Sequence, residues 1–201
     1  MNFNFAEKIN PSLEDFNFDA ALQIAEAELK LLPVTAFHAV CGRSLVYGAQ
    51  NLATWIDDFY HQAKKRCTAC ALYFELNEFD SNTKDWFISG FAYENCELDA
   101  DDNDWLSDWA TDSHVAIGPG FYISTFPDLQ AAFATVRSMK ERGEWNTEME
   151  DAKDWCEQII LIRFMELMRA SHLHAKQNSL SWSDIPIFFA MHDYDFILKS
   201  E

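Results

Sequence analysis

Cys70-Ala-Leu-Tyr-Phe-Glu-Leu76 and Trp86-Phe-Ile-Ser-Gly-Phe-Ala-Tyr93 are the runs that decide the fold. Both are dense in apolar and aromatic side chains, and the stretch between them, Asn77–Asp85, is rich in turn-forming residues. That pattern predicts two strands joined as an antiparallel hairpin. A further short strand is expected over Phe121–Thr125, after the turn Gly118-Pro119-Gly120, and a last one over Ile185-Pro-Ile-Phe-Phe-Ala-Met191.

Helical periodicity surrounds these runs. Ser12-Leu-Glu-Asp15 reads as a capping-box-like start for a helix through Phe16, Ala20, Ile24, Ala27 and Leu31, stopping before Pro33. Val34–Tyr47 reads as a strand or an irregular buried segment. Asn51–Arg66 reads as a helix whose apolar face is Leu52, Trp55, Ile56 and Phe59, with Lys64-Lys65-Arg66 at the end the dipole favours. Pro127 opens another helix to about Lys140, with Gly143 beyond it. The longest helix is predicted from about Glu148 to Lys176. Between Ile159 and Met168 it is apolar nearly all round, with Arg163, Glu166 and Arg169 as one narrow polar stripe, the mark of a buried helix. The expected fold class is α+β in one domain over residues 1–201. It combines an antiparallel sheet of about four to six strands with about four to five helices, one of them long and buried.

The chain has 33 Asp and Glu against 15 Lys and Arg in 201 residues, a formal net charge of -18. Hydrophobic residues make up 49%, enough for a sizeable core, so the acidity does not signal disorder. A field of this sign repels nucleic acid, whose phosphates need Lys and Arg to replace their counterions. It favours either solubility or steering toward a cationic partner. The N-terminal MNFNFAEKINPSLEDF shows no signal-peptide pattern, and Ile159–Leu167 is too short to span a bilayer. A cytoplasmic protein without membrane association is the expectation. Five scattered cysteines, Cys41, Cys67, Cys70, Cys96 and Cys156, then read as reduced thiols.

The acids concentrate in Glu94–Asp112, which holds Glu94, Glu97, Asp99, Asp101, Asp102, Asp104, Asp108 and Asp112 and no Lys or Arg. Asp99-Ala-Asp-Asp-Asn-Asp104 invites a calcium loop but fails it: the sixth position is Asp104 in place of Gly, and the twelfth is Ala110 in place of Glu. Trp105 and Trp109 stand four apart and would share one face of a short helix, either packed on the core or offered to a partner's Arg and Lys. Cys67-Thr-Ala-Cys70 has the CxxC spacing without a second pair for zinc, and it follows a helix, whereas redox motifs precede one. Lys64-Lys65-Arg66 would make Cys67 somewhat more acidic. His172 and His174 point apart on a helix and read as cationic partners of its C-terminal dipole. Asp193 and Asp195, flanking Tyr194 at the tip of the last strand, are expected to project to one side. No GxSxG, GxxxxGK[ST] or GxGxxG motif occurs.

The order of features resembles that of small uncharacterised bacterial α/β proteins of the toxin-immunity type. The residues that carry the resemblance are the hairpin of Cys70–Leu76 and Trp86–Tyr93, the tryptophans of Asp104-Trp-Leu-Ser-Asp-Trp109 and the closing Asp193-Tyr-Asp195. What it implies is stoichiometric binding of a toxin domain, commonly a nuclease, with no enzymatic activity.

The leading expectation is therefore a non-enzymatic acidic binding protein, with no cofactor and no metal, that docks on the cationic cleft of a basic toxin or nuclease. Its binding residues would be Asp99, Asp101, Asp102, Asp104, Trp105, Asp108, Trp109, Asp193 and Asp195. Two alternatives stand beside it. One is a metal-dependent carboxylate enzyme using Asp99, Asp101, Asp102, Asp193 and Asp195, with His192. The other is a structural or self-associating subunit; a monomer or weak homodimer is expected, because -18 per protomer opposes close association.

Overall fold

The computed structural model describes residues 3–77, 86–123 and 126–201. Its helices are α1 (Phe3–Glu14), α2 (Phe18–Lys30), α3 (Ala49–Ala63), α4 (Ser113–Ile117), α5 (Pro127–Glu141) and α6 (Thr147–Gln177). Its strands are β1 (Ala71–Leu76), β2 (Phe87–Tyr93), β3 (Thr111–Asp112), β4 (Phe121–Tyr122), β5 (Ile187–Met191) and β6 (Leu198–Ser200). The mixed α+β class expected from the sequence is the class observed, with one sheet and one long helix. Among the described residues no helix is long and apolar enough to cross a membrane.

The chain divides into two compact units. The first takes its described residues from 3–44, 86, 123 and 126–164 and is helical. α1 buries Ala6, Ile9 and Leu13, and its Phe5 ring stacks on Trp155 of α6 at 4.1 Å. The capping-box reading of Ser12-Leu-Glu-Asp15 is corrected: Ser12 and Glu14 lie inside α1, and α2 is capped by Asn17, whose side chain accepts the Ala20 N–H at 3.2 Å. Such a cap contributes about 1 kcal/mol. The face that packs is also not the expected one: α2 buries Ala21, Leu22, Ala25 and Leu29, and Leu31, just past its end, is 82% exposed. Val34–Tyr47 is the irregular alternative, with 3-10 turns at Thr35–Val40 and, in the second unit, Val46–Gly48. α5 buries Leu129, Phe133 and Val136. A bidentate contact from Arg43 to Asp128 holds that carboxyl below its usual range and ties the 3-10 segment to the start of α5.

The second unit is built on the sheet, ordered β3-β2-β1-β5-β6 with β4 also on β2. The predicted hairpin is present: β1 and β2 pair antiparallel from Ala71↔Tyr93 to Leu76↔Ile88. The turn assigned to Asn77–Asp85 lies, apart from Asn77, outside the described residues, as do Ser124 and Thr125 at the end of the expected Phe121–Thr125 strand. The sheet is not antiparallel throughout: β5 runs parallel to β1, from Leu72↔Ile187 to Leu76↔Met191, an arrangement that requires a long crossover between them. β6, antiparallel on β5, closes the far edge.

β1 is buried along both faces, the condition of a strand covered on each side. On one face α3 lays Trp55 and Phe59 over Phe74. Gly90 lies beneath these rings; a Cβ there would sit 3.0 Å from both Phe59 and Phe74, so no larger residue fits without displacement. The opposite face presents Tyr73, Phe91 and Phe188 to the acidic segment.

α6 meets its prediction: residues 152–162 are continuously buried, and Arg163, Glu166 and Arg169 form the half-buried stripe. His172 overturns one. It is fully buried and stacked on Trp182, with Nε2 donating to the Ser183 carbonyl at 3.0 Å and Nδ1 accepting from the Ser200 hydroxyl at 2.7 Å. Arg169 donates to the same hydroxyl oxygen. Burial lowers the His172 pKa to about 4, so it is a neutral core residue and not a cation serving the helix dipole.

Candidate functional site

The acidic segment is a structured cover on the sheet. It leaves β2 at Tyr93 and returns at Ala110, whose N–H donates to the Ala92 carbonyl at 2.9 Å. Leu98 and Trp105 turn inward into a cluster with Tyr73, Tyr93, Phe188 and Ile197. The Trp105 ring meets Tyr93 edge-on at 5.1 Å and Tyr73 at 5.8 Å, and its indole N–H donates to the Asp99 carbonyl at 2.7 Å. The Tyr93 hydroxyl donates to the Leu106 carbonyl, and burial pushes both tyrosine pKa values up, so these rings are neutral structural supports.

This placement corrects the anchor reading of Trp105. Only 7% of the residue is exposed, which leaves no indole face for a partner. The expected shared helical face is absent because the helix here is a single 3-10 turn, Asp104–Ser107, and Trp109 lies beyond its end. Trp109 is 44% exposed, its ring edge-on to Phe91 at 5.4 Å.

With the apolar residues turned in, the carboxylates turn out. Glu94, Glu97, Asp99, Asp101, Asp102, Asp104 and Asp108 are all exposed, and among the described residues none of these seven forms an ion pair. Three are held by backbone N–H groups. Asp99 accepts the Asp101 N–H at 3.1 Å, Asp102 accepts the Asp104 N–H at 2.9 Å, and Glu94 accepts the Thr68 N–H at 3.0 Å. These hydrogen bonds restrain three side chains that would otherwise sample many rotamers. The eighth acid, Asp112, caps α4 by accepting the Val115 N–H.

A further tie comes from Cys96, which is joined to Cys70 at the foot of β1, the Cα atoms 4.8 Å apart. The expectation of five reduced thiols is corrected: the hairpin returns the chain beside Cys70, which widely spaced cysteines do not reveal. Cys41, Cys67 and Cys156 stay free. The reading of Cys67 as acidified is corrected too, since burial and then Glu94 raise its pKa.

Asp193 and Asp195 are exposed, but the alternation that would place them on one side does not apply. Residues 191–194 form a turn closed by Tyr194 N–H to Met191 carbonyl, with Asp193 at φ 56, and β6 follows, so β5 is not the last strand. Asp193 lies 3.7 Å from His192 Nε2, while His192 Nδ1 is 2.9 Å from Glu75 Oε1. Among the described residues no group of three or more His, Cys, Asp or Glu side chains is placed to hold a metal ion.

One feature carried no sequence signal. In the first unit a cavity of about 360 Å³ opens between α5 and α6, lined in part by Arg137, Lys140, Trp145 and Lys153. Its residues come from separate elements and follow no motif.

No known protein family matches the chain, and no match was found among curated proteins or solved structures.

Proposed function

We propose that this chain is a non-enzymatic binding protein whose acidic face, Glu94–Asp108, docks on a cationic protein. The partner class favoured is a nuclease, because a cleft that grips phosphates is lined with Lys and Arg. One observation carries the reading: seven exposed carboxylates, without cationic partners among the described residues, are borne on a segment pinned to the sheet. An acidic loop that served only solubility would have no need of that support. Carboxylates on a pinned backbone, three of them (Glu94, Asp99 and Asp102) also held by hydrogen bonds, lose less freedom on binding than those of a loose loop, so more of the Coulombic attraction survives as affinity. Trp109, partly exposed next to Asp108, is an aromatic contact available to a partner.

The test uses purified small cationic nucleases together with cationic proteins of similar charge that cleave nothing. The reading predicts stoichiometric inhibition of at least one nuclease, relieved when Asp101, Asp102 and Asp104 are replaced by Asn. Equal, weak binding to every cationic protein, unchanged in the Asn variant, would overturn it.

A further inference from the structure

In a chain of net charge -18, the cavity of the first unit is lined by three cations, Arg137, Lys140 and Lys153, against one carboxylate, Glu141. Its apolar surface is aromatic and aliphatic, from Phe133, Val136 and Trp145. The cavity's volume, about 360 Å³, falls within the range of small-molecule sites.

The cations are not equivalent. Arg137 is 3.7 Å from Glu141, and the buried Lys153 is 2.8 Å from Glu157. Lys140 has no carboxylate partner among the described residues; its ammonium lies 5.6 Å from the centre of the Trp145 ring. Trp145 is itself fixed, its indole N–H donating to Glu150 at 3.1 Å. A held indole with an ammonium above it that has no carboxylate partner among the described residues, lining the same cavity as Phe133 and Val136, fits a flat ring bearing a negative charge.

We propose that this cavity binds a small aromatic carboxylate, its ring against Trp145, Val136 and Phe133 and its carboxylate on Lys140. The site shares no residue with the acidic face, and the proposal does not depend on the proposed function.

Calorimetric titration with 2-naphthoate, its neutral amide 2-naphthamide, and octanoate tests the assignment. The expectation is that 2-naphthoate binds, that the amide binds at least about tenfold more weakly for want of the charge-assisted contact, and that octanoate is weaker still than 2-naphthoate. Lys140→Gln should lower 2-naphthoate affinity about tenfold and Lys140→Arg should restore most of it. Equal affinity for 2-naphthoate and its amide, tighter binding of octanoate, no binding of 2-naphthoate at millimolar concentration, or an unchanged Lys140→Gln variant would each overturn the proposal. The comparison of ligands uses the unaltered protein, so it holds whatever a substitution does to folding.

Discussion

His172 makes stability depend on pH in a way that can be isolated. Its ring is buried against Trp182, spends both nitrogens on Ser183 and Ser200, and has a pKa lowered to about 4, by burial first and then by the Lys176 and Arg169 charges against the raising effect of the Ser183 bond. In the unfolded chain the same ring titrates near 6.5. Its folded pKa is depressed, so the stability it confers is fully present above about pH 7 and is lost as pH falls from about 6.5 toward 4. The shift corresponds to about 3 kcal/mol lost by pH 4, of which about 2 kcal/mol is gone by pH 5. Urea unfolding at pH 5.0, 6.0 and 7.5, followed by tryptophan fluorescence, compares the native chain with His172→Gln. The variant carries a constant penalty for its altered hydrogen bonds but lacks the titration. The other histidines and the carboxylates titrate in both proteins and cancel in the difference. The gap between the two should therefore narrow by about 2 kcal/mol from pH 7.5 to pH 5. A gap independent of pH would refute the buried, neutral assignment of this ring.

Trp105→Ala should cost about 3–5 kcal/mol in unfolding free energy, as removal of a core aromatic does, and a variant of native stability would mean that the indole is not the support of the acidic segment. Gly120→Ala would place a Cβ 2.5 Å from the Ile88 carbonyl oxygen and 2.8 Å from the Phe87 ring, so a loss of roughly 1–3 kcal/mol is expected at the β2–β4 edge; no change in the urea midpoint would count against that pairing. Thiol titration of the unreduced protein in denaturant should find Cys41, Cys67 and Cys156 and two more sulfhydryls only after reduction, whereas all five at the outset would remove the Cys70–Cys96 tie.

Local patterns survived where packing followed them. The hairpin was legible because both strands are apolar runs with turn residues between them. α6 was legible because its polar residues keep one narrow stripe. Three things were not legible. α1 contains Pro11, a residue that reads as a stop, and that obscured both the helix and the true cap at Asn17. β3 and β6 are too short to show alternation, and their partners, β2 and β5, are set by tertiary contacts. Trp105 and Trp109 are four apart in sequence, but a 3-10 turn replaced the helix that would have made this spacing meaningful. At the site, the charge of Glu94–Asp108 was plain from composition. Which aromatic faced inward depended on the sheet beneath it. The cavity beside Lys140 was invisible, because α5, the loop at Trp145 and α6 meet there only in three dimensions.

The central claim is that the exposed carboxylates of Glu94–Asp108, carried on a pinned segment, recognise a cationic protein. Stopped-flow association with a nuclease that the chain inhibits, measured across ionic strength, tests it most directly. Replacing Asp101, Asp102 and Asp104 by Asn removes three charges at nearly constant volume and leaves the buried Leu98 and Trp105 in place. The account predicts that association slows several-fold at low salt, that its salt dependence becomes shallower, and that dissociation changes less. An association rate and salt slope identical to those of the native chain, with folding unchanged, would contradict it.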